Sequence, residues 1–122
     1  MRQSSEHFEP DASEVSAARH FAAEEARQWG VDTDVVALVV SELAANAVLH
    51  ARSEFTVSLC LDGERVVVEV ADENPRVPFV PVPQKGALSG RGLLIVQRLA
   101  RAWGVREGSL PGTKVVWAEL EA

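Results

Sequence analysis

Four prolines crowd into nine residues: Pro75, Pro78, Pro81 and Pro83. Each fixes its own φ and removes a backbone donor, so no regular helix or central strand runs through them. The stretch from 75 to 89 therefore reads as one long loop of about fifteen residues, a length that in a compact domain is usually functional or disordered. It divides the chain into a long first part and a short second part, which must share one core.

The first part opens with nine polar-rich residues ending near Phe8, read as a flexible terminus or a short edge strand. Asp11 and Glu14 have capping-box spacing. Val15, Ala18, Phe21, Ala22 and Ala26 then recur at helical intervals up to Gly30, a C-cap glycine. Asp32 and Thr33 can cap a second helix, roughly 34 to 50. Phe55, Val57, Leu59 and Leu61 alternate with polar or small residues as in a strand, Asp62-Gly63 signals a hairpin, and Val66 to Val70 returns as a β-branched, central strand. After the proline loop, Gly90-Arg91-Gly92 opens a third helix of roughly 92 to 102, ended by Gly104. A last strand runs from Val115 to Leu120. Hairpin strands with helices to cover them predict a two-layer α/β sandwich in a single domain spanning 1–122.

With 47% hydrophobic residues the chain has material for one core, and its net charge of −6 argues against a general nucleic-acid binder. The lone Cys60 suits a reduced compartment. The longest apolar-rich stretch, 35 to 49, is too short and too polar to span a bilayer. A cytoplasmic protein without membrane or direct nucleic-acid contact is expected. His7 and His20 read as plain surface residues.

Residues 39 to 51 read VVSELAANAVLHA. Glu42, Asn46 and His50 are spaced by four, and on a helix they fall within about 80° of one another. Apolar residues occupy much of the remaining circumference. A carboxylate in such a helix is costly unless it is paired or reaches a wet cavity, so the seam should face a pocket or a partner. Further signals follow. Asp72 ends a strand, where it marks either a pocket mouth or a turn. Residues 89 to 96, SGRGLLIV, place two glycines at a helix start, where free amides and the helix dipole favour an anion. They match neither a dinucleotide-binding fingerprint nor a Walker loop. Gly112-Thr113-Lys114 precedes the last strand and, taken alone, is a loop with a basic residue.

The order of these signals resembles the nucleotide site of the gyrase, heat-shock chaperone, histidine kinase and MutL superfamily. VVSELAANAVLHA, GRGLLIVQRLARAWGV and GTKVVWAEL look most like the small anti-sigma factor serine kinases and their ATP-binding relatives, over residues 8 to 121. The resemblance implies a Bergerat fold, with helices on one face of a mixed, mostly antiparallel sheet of four or five strands. It implies ATP and Mg²⁺ as ligands. Asn46 would coordinate the metal, Glu42 would act as general base, and Asp72 would accept from the adenine amino group with Thr113 assisting. Gly90, Arg91 and Gly92 would line the phosphates, and residues 75 to 89 would form the ATP lid. His50 is read as a helix-end cap in preference to a contact with phosphate or lid. As partners the resemblance implies a STAS-type anti-anti-sigma factor and a sigma factor, with a homodimer also allowed.

One segment departs from the pattern. The family's first glycine box reads Asp-x-Gly-x-Gly, whereas here it is Asp72-Glu73-Asn74-Pro75-Arg76. Glycine there lets the backbone approach the base. Two expectations follow: a serine/threonine kinase that phosphorylates the STAS partner and sequesters the sigma factor, or a non-catalytic binding module of the same fold whose nucleotide binding is weak or lost.

Overall fold

The computed structural model describes residues 1–73 and 88–122. The elements run β1 (Arg2–Phe8), α1 (Ala12–Trp29), α2 (Thr33–Asn46), a π-helical turn (Ala47–Ala51), β2 (Phe55–Asp62), β3 (Arg65–Asp72), α3 (Leu88–Leu99), β4 (Ala102–Glu107) and β5 (Lys114–Glu121). The five strands form one sheet in the order β1-β2-β3-β5-β4, and all four pairings are antiparallel. The architecture is the expected two-layer α/β sandwich, with a sheet that carries no parallel pair among the described residues.

Side-chain alternation explains how the layers meet. Val57 and Leu59 of β2, Val66, Val68 and Val70 of β3, and Val116, Ala118 and Leu120 of β5 lie on one sheet face, and all are buried. The helices cover that face through Ala18, Ala22 and Ala26 of α1, Val36, Val39, Val40, Leu43 and Ala44 of α2, and Val96 of α3. Three phenylalanines close one end of the core. Phe8 stacks on Phe55 at 5.3 Å and meets Phe21 at 6.2 Å. The opposite face carries Trp117, whose ring lies over Gly104 so closely that a Cβ there would come within 3.0 Å of it. Ion pairs Arg106–Glu69 (2.8 Å) and Arg65–Glu119 (2.9 Å) bridge strands on this face.

Helix ends are set by local chemistry. Asp11 caps α1 by accepting from the Ser13 amide, which holds its carboxyl below the usual range, and Gly30 ends the helix at φ 71°. Asp32 caps α2 by accepting from Val35 N at 3.1 Å.

Of the two expectations for the first residues, the edge strand holds: they form β1, paired with β2. Two other expectations change. The third helix starts at Leu88 and stops at Leu99, not at 92 and 102. Gly104, expected to terminate that helix, sits inside β4, a strand the sequence pattern did not reveal. Of the expected loop 75 to 89, residues 75–87 lie outside the described residues and 88–89 belong to α3. Among the described residues no helix is long and apolar enough to cross a membrane.

Candidate functional site

The seam forms as the spacing requires. Val39, Val40, Leu43, Ala44 and Ala47 are all buried, whereas Glu42 and Asn46, one turn apart, are half-buried. Neither makes a hydrogen bond or ion pair among the described residues, and neither leaves a fully enclosed polar atom without a partner. Two oxygen-bearing side chains thus open beside the buried apolar residues of the same helix. His50 falls in the π-helical turn that extends α2; its side chain lies outside the described residues. The turn closes at Arg52, in a left-handed conformation at φ 53°, with its amide on Ala47 O at 2.9 Å.

Asp72 occupies the last position of β3, the central strand. The period of two that buries Val66, Val68 and Val70 carries Asp72 onto the same, helix-facing side, and only 2% of it is exposed. Register places a row across all five strands at this end of the sheet: Phe8, Phe55, Asp72, Lys114 and Glu107. Within the row the Lys114 ammonium lies 3.3 Å from an Asp72 carboxylate oxygen, and the lysine side chain is 16% exposed. Lys114 is the site residue that sequence reasoning passed over. Its only signal was a basic residue after Gly-Thr, and pairing with Asp72 is a property of register between strands about forty residues apart.

The chain brings these groups to one end of the molecule. Only three residues separate the π-helical turn from Phe55, the register partner of Asp72, and Glu73 N donates to Ser53 Oγ at 3.1 Å. The end of α2 is thereby tied to the end of β3. At the far end, Asp32 and Val35 from the start of α2 share a cleft with Leu99, Ala100, Arg101 and Glu121. The start of α2 thus meets the end of α3, and the two helices pack against each other. The first turn of α3 is at the other end of that helix, away from this cleft. Gly90 and Arg91 fall among its first four residues, whose amides have no partner within the helix, and Gly92 follows directly.

Thr113 sits just before β5, and its hydroxyl donates to Leu110 O at 2.6 Å; the residue in register with Asp72 is its neighbour Lys114. His7, expected to be a plain surface residue, belongs to a network. Its ring nitrogens meet Glu54 Oε1 at 2.5 Å and Thr56 Oγ1 at 3.0 Å. The Glu54 hydrogen bond raises its pKa most; desolvation opposes the rise, and the negative charges of Glu54, Glu73 and Glu9 add to it.

The model of one protein family, described as a histidine kinase-like ATPase domain, matches residues 8–118. A search of curated protein sequences finds no match. Among solved structures, that of the RsbU and RsbW domains of Rv1364c from Mycobacterium tuberculosis superposes with a TM-score of 0.70 at 18% identity. All of this chain is covered, but it spans only 33% of the length of that one, so the likeness speaks for the fold. A match running from the end of β1 into β5 takes in Glu42, Asn46, Asp72 and the first turn of α3 together, and the chain belongs to the histidine kinase-like ATPase domain family.

Proposed function

We propose that this chain is an ATP-binding regulator of the anti-sigma factor type. It would act as a serine/threonine kinase that phosphorylates a STAS-domain anti-anti-sigma partner and, in its other state, sequesters a sigma factor. The observation that carries this reading is the open Glu42/Asn46 pair on α2, whose end is tied by the Ser53–Glu73 hydrogen bond to the end of β3 that carries buried Asp72. Both side chains offer oxygen donors, the kind Mg²⁺ takes alongside phosphates and water. Asn46 would hold the ion, which would supply charge neutralisation at the phosphates. Glu42 would accept the proton of the attacking seryl hydroxyl as its oxygen bonds to phosphorus and the ADP oxygen departs. Asp72 would orient the base through its amino group, and the amides at the start of α3 that have no partner within the helix, Gly90 among them, would face phosphate oxygens.

The test is transfer from labelled Mg-ATP to candidate STAS domains. Wild type should label its partner, and Glu42→Ala should fall by at least about a hundredfold. Equal labelling by both proteins, or none by either, would remove the kinase. One observation favours a second reading, a non-catalytic module: Asp72 is already engaged by Lys114. Calorimetry separates the two, since low-micromolar Mg-ATP binding that Asp72→Asn abolishes excludes a dead pocket.

A further inference from the structure

Asp72 holds the position that would read a base, yet it has a cation of this chain's own against it. The Lys114 ammonium sits 3.3 Å from its carboxylate, with side-chain exposures of 16% and 2%. A carboxylate this buried needs an answering donor, and removing one would leave an uncompensated charge. An exocyclic amino group is a donor of the same kind, aimed at the same oxygens. The carboxylate has acceptor sites for both, but an ammonium and an amino group drawn to one nearly dry carboxylate set donor against donor, so each weakens the hold of the other. Register supplies the other half of the arrangement. Lys114 lies between two acids in its row, Asp72 on β3 and Glu107 on β4. It makes an ion pair with Asp72 and none with Glu107, which is exposed. A second acceptor therefore waits one strand away on the same face.

We propose that Lys114 is an internal stand-in for the donor group of the nucleobase. It holds Asp72 when no nucleotide is bound, and it moves toward Glu107 when the amino group of a 6-aminopurine takes its place. Lys114 thereby sets how much the site gains from that amino group, and Glu107 sets how readily Lys114 leaves. This inference rests on the reading of the site as a nucleotide pocket. It accounts for a nucleotide site whose key acid is satisfied without ligand, which keeps the fold stable unliganded at the expense of affinity.

Calorimetry on the full chain tests it, with Mg-ADP and the Mg-diphosphate of purine riboside, which lacks the amino group. Lys114→Met should bind ADP about tenfold more tightly than wild type, whereas Lys114→Arg should not. Glu107→Gln should weaken ADP binding in the wild-type background and leave Lys114→Met unchanged, a coupling that general destabilisation does not produce. Wild type should prefer ADP over the amino-free analogue by less than about threefold, and Lys114→Met by more than about tenfold. The wild-type comparison needs no variant and so stands even if Lys114→Met fails to fold. ADP binding that is equal or weaker in a folded Lys114→Met, or a Glu107→Gln effect of the same size in both backgrounds, overturns the stand-in and leaves the nucleotide site intact. Absence of ADP binding in wild type and Lys114→Met alike overturns the nucleotide reading and the inference with it.

Discussion

Asp72 is a carboxylate at the end of an otherwise apolar row of valines, and its burial has consequences for stability as well as for recognition. Asp72→Asn leaves the Lys114 side chain, only 16% exposed, without its anionic partner, so unfolding by urea should show a loss of about 3 kcal/mol. The same variant should abolish any melting-temperature gain from Mg-ADP. His7 offers a prediction of opposite character, carried by pH. Its pKa is raised in the folded chain, chiefly by the Glu54 hydrogen bond. A raised folded value means that the contribution is complete below the ordinary histidine value of about 6.5 and disappears as pH rises through the folded one. The melting temperature of wild type should therefore exceed that of His7→Gln in mildly acid buffer, and the gap should close in mildly alkaline buffer. A constant gap would remove Glu54 as the cause. The placement of Asp72 at a strand end and of Glu42 and Asn46 on one helix face was legible in the sequence because four-residue spacing and strand patterning are local properties. Lys114 and the His7 network were hidden because their partners arrive only through pairing: Thr56 from the strand beside β1, and Asp72 from the strand beside β5.

At the level of elements, the clearest local signals set α1 and α2. Gly30 adopts φ 71° with nothing within 4 Å of an added Cβ, so Gly30→Ala meets no steric neighbour and tests the backbone alone. Its expected cost is about 1 kcal/mol, read from the shift in urea midpoint at constant slope. The helical run to about residue 50 was legible, but its last turn widens into a π-helical turn, Ala47–Ala51, that ends on Arg52 rather than on glycine. No composition signal announces that ending. β4 escaped for a related reason. Ala102–Glu107 follows a helix without a turn of Gly or Pro, and its alternation rests on Trp103 and Val105 alone. Gly104 looked like a stop, whereas its lack of a Cβ lets the Trp117 ring cross the strand. A residue suited to ending a helix here serves an aromatic neighbour on the adjacent strand.

The whole molecule has one core between one sheet face and its helices, and the site lies at one end of it. Phe55 is 1% exposed, stacks on Phe8 and is the register partner of Asp72. Phe55→Ala should therefore cost about 3 kcal/mol. Backbone dichroism and tryptophan fluorescence should still report the same midpoint, since both layers share that core. Separate midpoints would argue for two independently stable parts. The sheet order carries a further consequence, for the sequence of events by which the chain folds. β3 meets β5 across a gap of about forty residues, and closing so long a loop is entropically slow. β4 is made before β5, yet its described sheet partner is β5 alone, so during synthesis it waits for a strand that has not yet emerged. Asp72 likewise has no Lys114 beside it until β5 docks. During synthesis α1, α2 and the strands β1, β2 and β3 emerge before β5, so the charged end of the candidate site is among the last features completed.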